Sequence, residues 1–312
     1  MAPIIPSPPV MSMTPISWMI CGTVPDKDFP LIEGCWRLEH DFLRLENGDL
    51  PPLSVQRGTP ALMASAVLTC QTLDAPPPSA LLVGDTGNGD GSRALYARLT
   101  TTLRETAPAG LTFHYLFPDL DGHNRVLMAL EELRPKPVLV ADAGFMYVAK
   151  MSGYADAYDL FTPDAGELAF LADEKAPHPF YTRGFLLSAD KDVPLLVQRA
   201  YAHNNAAHFL LIKGKTDYLV HEGQFLGQIA DPQVPTLEPI GGTGDLVTGI
   251  VTGLLASGMD MVQACLTAAR ASRITGQLAQ PTPATQIAEL LPFLPQALRH
   301  AMQTAPCGAD AP

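Results

Sequence analysis

The sequence predicts an α/β fold, a three-layer α/β/α sandwich around a mostly parallel central sheet. Three observations predict it. Short continuous apolar runs alternate with helix-length segments, and a strand that is apolar on both sides is one covered on both faces. Glycine or a polar residue ends several of these runs, as at Gly22, Gly84, Asp142 and Lys213–Gly214. Right-handed crossovers then bring those strand ends to one rim, where ligands bind in open sheets.

The elements follow in order. Residues 16–23 read as a strand, 59–73 as a helix and 80–84 as a strand. A glycine-rich loop then leads to a helix over 92–103, with Ser92 available as its cap. Residues 111–117 are a strand, and 124–133 a helix capped around His123-Asn124. Strands at 137–142 and 159–162 follow, then a loop over 177–183 and a helix over 193–203. A strand at 208–214 precedes a small hairpin, 218–220 with 224–229. The last reading is a glycine turn at 241–244 that opens an apolar helix. No repeat or linker divides the chain. The expected organisation is a proline-rich arm over 1–12, one domain over 13–302 and a disordered tail over 303–312.

Composition narrows the function. The net charge of −12 argues against a nucleic-acid partner, which needs a basic footprint. It leaves anionic small ligands open, because local amides bind them on an acidic protein. The five cysteines (Cys21, Cys35, Cys70, Cys265 and Cys307) are widely spaced, with no CxxC pair. They read as reduced thiols of a cytoplasmic protein, not as a disulfide framework or zinc site. No span is long and apolar enough to cross a membrane. The run after Asp245 comes closest, but Gly249, Gly253 and Gly258 interrupt it and Asp260 ends it. The N-terminal arm lacks the charged start of a signal peptide.

The densest signal is Gly241-Gly242-Thr243-Gly244-Asp245. Bare amides at a helix start hold an anion such as phosphate, and glycine lets it come close. Asp245 beside that cradle would be a base for phosphoryl transfer to a hydroxyl. The same residues are also an ordinary way to begin a helix. Asp85-Thr86-Gly87-Asn88-Gly89-Asp90-Gly91-Ser92 is neither a P-loop nor a calcium loop, since Tyr96 stands where the calcium-binding Glu would be. Asp85, Gly87, Asn88 and Gly89 are candidates to wrap a substrate. Asp142, at a strand end, is another candidate substrate residue. Lys213, Gly214 and Thr216 could reach a phosphate. Glu167 follows Thr162-Pro163-Asp164-Ala165-Gly166; it caps a helix or holds Mg²⁺ through water. The histidines show no metal-ligand spacing, and no serine or cysteine stands in a nucleophile pattern.

Together these residues resemble the ribokinase-like superfamily, and within it the ATP- or ADP-dependent NAD(P)H-hydrate dehydratase branch. That branch carries a Gly-Gly-Thr-Gly-Asp turn with Leu-x-Gly and a Leu-Leu-Ala-x-Gly helix end. Here these are residues 241–246, Thr248-Gly249 and Leu254-Leu255-Ala256-Ser257-Gly258. Its Thr-Pro-His-Pro-Gly-Glu segment is similar to residues 162–167, with Asp164-Ala165 in place of His-Pro. Its Lys-Gly-x-x-Thr and Asp-Ala motifs resemble Lys213-Gly214 with Thr216, and Asp142-Ala143. The resemblance implies a ribokinase-like fold with ATP or ADP as co-substrate. It implies Asp245 as base, the 241–244 amides on the phosphoryl group, and Mg²⁺ with Glu167 in its outer shell. The implied partners are a small-molecule substrate and a nucleotide, in a homo-oligomer. A sugar or vitamin-precursor kinase, and a non-catalytic nucleotide-binding protein, are the alternatives.

Overall fold

The computed structural model describes residues 17–175 and 192–303. The proline-rich arm, the loop expected over 177–183 and nearly all of the expected tail lie outside the described residues.

The strands are β1 (Trp18–Val24), β2 (Ile32–Glu39), β3 (Phe42–Leu45), β4 (Leu53–Ser54), β5 (Ser79–Gly84), β6 (Gly110–His114), β7 (Val138–Asp142), β8 (Leu160–Phe161), β9 (Phe209–Ile212), β10 (Asp217–His221) and β11 (Gln224–Ile229). Among the described residues they form one sheet in the order β11-β10-β9-β8-β7-β6-β1-β5-β2-β3-β4. From β9 across to β5 all neighbours are parallel. The flanks are antiparallel: β10 and β11 on one side, β2 to β4 on the other.

Alternation along the strands builds two cores. Trp18, Ile20, Ala80, Leu82 and Val140 point to one face; Met19, Cys21, Leu81, Leu111, Phe113 and Ala141 point to the other. The first face is covered by α1 (Thr59–Thr72), α7 (Thr243–Ala256), α8 (Met261–Ala279), α9 (Ile287–Leu290) and α10 (Leu294–Gln303). The second is covered by α2 (Asp90–Thr106), α3 (Leu120–Glu131), α4 (Gly144–Met151), α5 (Ala165–Ala172) and α6 (Val193–Ala202). This is the three-layer α/β/α sandwich around a mostly parallel sheet that the sequence predicts.

One contact decides where the site lies. Helices α1 and α7 cross at Gly249 and Gly253. A Cβ at Gly249 would stand 2.3 Å from the Leu62 carbonyl oxygen, and one at Gly253 2.6 Å from Thr69 Cβ. Only glycine permits that approach. It brings the N-terminal ends of both helices to the sheet rim together.

The structure corrects several expected elements. Strand β6 stops at His114 instead of reaching Phe117, because Tyr115 turns the backbone to φ 54°. Helix α3 starts at Leu120, where the Asp119 side chain accepts from Gly122 N at 2.7 Å. His123 is therefore no cap; it is buried inside the helix, with Nε2 2.8 Å from the Tyr158 hydroxyl. Helix α2 opens at Asp90 behind Gly89 at φ 82°, so Ser92 lies in its first turn. Strands β2 to β4 carry no recognisable apolar run, since most of their residues are half-buried or exposed. Of the cysteines described, Cys21, Cys70 and Cys265 are buried, Cys35 is exposed, and all four are free. Among the described residues no helix is long and apolar enough to cross a membrane.

Candidate active site

Parallel register makes the floor of the site. His114 ends β6 and pairs across with Asp142, which ends β7, and with Gly22 of β1. Both side chains share the parity of Thr112 and Val140, so they face α7. That helix answers with polar side chains at helical spacing. Thr252 bonds Thr112 at 2.9 Å, Thr248 donates to Asp142 Oδ2 at 2.6 Å and bonds Thr162 at 2.9 Å, and Asp245 meets His114.

Asp245 lies in the first turn of α7, behind Gly242 at φ 100°. It is 7 % exposed. Its Oδ2 accepts from Gly58 N at 2.5 Å, and its Oδ1 is 3.0 Å from His114 Nε2. A carboxylate needs a donor, so the Nε2 hydrogen points to Asp245. The other ring nitrogen of wholly buried His114, Nδ1, lies 3.0 Å from the Thr59 hydroxyl. Burial opposes the Asp245 charge, but the hydrogen bond and charge of His114, with the Gly58 amide and Lys213, hold the carboxyl below its ordinary range. Two bonds leave further lone pairs on a carboxylate. Beside it, no hydrogen bond among the described residues engages the amides of Gly241, Gly242, Thr243 or Gly244. Arg57 flanks this turn: its Cδ lies 3.5 Å from where a Cβ on Gly241 would stand.

Lys213 and the acids form the opposite wall. Lys213 Nζ donates to Asp142 Oδ1 at 2.8 Å and would be 3.3 Å from a Cβ on Gly244. Burial disfavours its charge, but Asp142 and Glu167 outweigh burial and raise it. Glu167 sits in a capping box with Asp164, accepting from Asp164 N at 2.9 Å and from the Tyr147 hydroxyl at 3.3 Å. Burial first, then the Asp164 and Asp142 charges, push the Glu167 carboxyl up to about 8, with Lys213 pulling the other way.

The sequence candidates thus divide. Asp142, Glu167, Lys213, Gly244 and Asp245 come together with the bare turn. Gly214 spends its amide on Asp217 Oδ1 at 3.0 Å, and Arg273 fastens the 213–216 turn by donating to the Gly214 and Lys215 carbonyls at 2.9 Å. The 85–92 loop wraps its own acid: Asp85 accepts from Gly87 N, Gly89 N, Ser92 N and Ser92 Oγ at 2.7 to 3.1 Å. Asn88 and the open side of Gly87 remain exposed there. Sequence reasoning missed Arg57, Gly58, Thr59, His114 and Tyr115. The buried histidine after an apolar strand was the one signal that could have found them. His114, Asp142 and Asp245 also bring ligand-type atoms within 4.8 Å of one another. Lys213, Thr248 and Thr59 already bond those groups, so this is a hydrogen-bonded network and not an open coordination shell.

Residues 118–294 match the Carb_kinase family, described as NAD(P)H-hydrate dehydratase. A relative in Methanocaldococcus jannaschii, the uncharacterized protein MJ1337, is 36 % identical over 243 residues, covering 77 % of this chain and 100 % of that one. Among solved structures, a ribokinase-like superfamily protein of Enterococcus faecalis superimposes with a TM-score of 0.55 at 15 % identity, over 93 % of this chain and 88 % of that one. A pyridoxal kinase of Staphylococcus aureus, in complex with pyridoxal, gives 0.53 at 14 % identity, over 83 % and 87 %. At such identities the two structures support the fold alone. The match over 118–294 and the archaeal relative go further: this chain belongs to the Carb_kinase, or NAD(P)H-hydrate dehydratase, family, enzymes of the ribokinase-like, carbohydrate-kinase type.

Proposed function

We propose that this protein transfers the terminal phosphoryl group of ATP or ADP to a hydroxyl of hydrated NAD(P)H, and that phosphate then leaves. The single observation that carries this reading is the juxtaposition at the start of α7. A row of unengaged amides lies beside a carboxylate kept ionised by His114 and Gly58.

Asp245 takes the hydroxyl proton as that oxygen attacks the terminal phosphorus. The bond from phosphorus to the bridging oxygen breaks, and the shortened nucleotide leaves. The 241–244 amides meet the charge on the equatorial oxygens, and the Lys213 ammonium lies against Gly244 to add to it. The phosphorylated oxygen departs as inorganic phosphate, and loss of a ring proton restores the reduced nicotinamide. The sum is water removed from the substrate and one phosphoanhydride hydrolysed.

Glu167 suits Mg²⁺ through water. Its oxygens keep lone pairs beyond the capping box, and Asp164 and Asp142 add negative charge beside it, with Lys213 opposing. Held there, the ion would supply positive charge to offset that of the nucleotide phosphates.

The test is incubation with hydrated NADH and ATP or ADP separately, following return of nicotinamide absorbance and release of phosphate. One nucleotide should restore the absorbance with equimolar phosphate. A stable phosphoester on any of a panel of alcohols, with no repair of hydrated NADH, would replace this reading with a kinase.

A further inference from the structure

We propose that Tyr115 is the substrate-reading residue, its ring a platform for a flat ring of the substrate beside the Asp245 carboxylate. This rests on the phosphoryl-transfer reading above. The first observation is backbone. Tyr115 is an aromatic residue at φ 54°, a region that bulky side chains occupy at a cost and that glycine or asparagine would occupy freely. The conformation is enforced by its neighbours: Thr23 Oγ1 donates to the Tyr115 carbonyl at 2.8 Å, and the next residue, Leu116, is buried.

The second observation is what that backbone does with the side chain. It ends β6 and turns the ring out onto the rim, 50 % exposed. The ring stands edge-on to His114, centroids 4.3 Å apart at 70°. Its Cε2 lies 3.9 Å from where a Cβ on Gly58 would be. His114 and Gly58 are the two groups that hold Asp245, so the ring covers the support of the base. Burial first, then the charges of Asp245, Asp142 and Glu167, push the Tyr115 hydroxyl up, with Lys213 opposing. Two residues on, Phe117 is also exposed and leans against Gly89 of the 85–92 loop.

The platform belongs to the substrate and not to the nucleotide base. A base must touch the hydroxyl that it deprotonates, so the substrate lies at Asp245. The nucleotide presents only its terminal phosphate there, and its heterocycle lies further off by the length of the phosphate chain. A flat ring on an aromatic face adds affinity by stacking with little side-chain ordering.

The test compares Tyr115→Ala, Tyr115→Gly and Tyr115→Phe with the wild type. KM for hydrated NADH, nucleotide Kd and thermal midpoint are measured for each. Loss of the ring should raise KM about tenfold and leave nucleotide Kd unchanged. Tyr115→Phe should recover most of that loss. Tyr115→Gly should raise KM while the midpoint stays level or rises, because glycine relieves the backbone. A purely structural tyrosine would instead lower the midpoint and leave KM alone. Unchanged KM in the alanine variant, or a change in nucleotide Kd instead, overturns the proposal. If the wild type does not turn over hydrated NADH, the phosphoryl-acceptor reading fails, and the platform is judged separately. Nicotinamide riboside, pyridoxal and ribose are then compared by thermal shift in the presence of nucleotide. Stabilisation of the wild type but not Tyr115→Ala by the ring-bearing heterocycles upholds the platform. Stabilisation by ribose alone, by none, or equally in both proteins overturns it.

Discussion

Two glycine-rich turns with an aspartate lie on the same rim, and they have opposite fates. At 85–92 the acid precedes the glycines. The loop closes around it, and the amides of Gly87, Gly89 and Ser92 are spent on Asp85. At 241–245 the acid follows the glycines. The α7 backbone carries Asp245 past its own amides toward Gly58 and His114, so the turn stays unengaged. Composition does not separate an open turn from a self-satisfied one. The order of acid and glycine, and what other elements offer the acid, does.

Asp245→Asn separates the two turns most strongly. If the carboxylate is the base, kcat should fall about a thousandfold with nucleotide Kd within error of the wild type. A rate near normal removes the acid from the chemistry. Asp85→Ala should do the reverse. Losing a charged acceptor for several amides should lower stability by about 2 kcal/mol in urea denaturation, with kcat close to unchanged in the folded fraction. Next comes His114→Asn, expected to cost about tenfold in kcat. Burial raises the Asp245 carboxyl once the imidazole hydrogen bond is gone, so the acid limb of the kcat/KM profile should move to higher pH.

The smallest effects are in the pH dependence of stability. Asp85 and Asp245 both have depressed folded values. Each contributes stability that is complete above the unfolded value of about 3.9 and is lost as pH falls through the folded one. Thermal midpoints of Asp85→Asn and Asp245→Asn should therefore approach the wild type as pH drops from 6 to 3. Glu167 has the opposite sign. Its value is raised to about 8, so its charge opposes folding increasingly from about pH 4 upward, levelling beyond pH 8. Glu167→Gln keeps the capping box and should gain on the wild type across that interval.

Much of this was legible in the sequence, and the reasons are local. Parallel strands such as β5 and β7 are continuous apolar runs, and Asp142, Lys213 and Asp245 stand where such runs or glycine turns end. What was not legible depends on tertiary pairing. Gly58 reaches Asp245 across 187 positions and His114 reaches it across 131. No local pattern marks Gly58, and the only trace of His114 is a histidine at the end of an apolar strand. The antiparallel β2–β4 extension was missed because most of its residues are half-buried or exposed and show no apolar run. The strand expected through Phe117 failed at Tyr115, because β propensity carries no information about a residue held at positive φ.

The crossing of α1 and α7 at Gly249 and Gly253 has an electrostatic consequence at a distance. Two helix dipoles aim their positive ends at one spot, on a molecule whose net charge is −12. A polyphosphate arriving from bulk solution meets repulsion first and attraction only in the last few ångströms. Screening weakens the outer field more than the inner one, because exposed charges beyond about 8 Å are damped at physiological ionic strength. Added salt should therefore quicken nucleotide capture in stopped-flow traces, contrary to the usual behaviour of phosphate-binding proteins with basic surfaces.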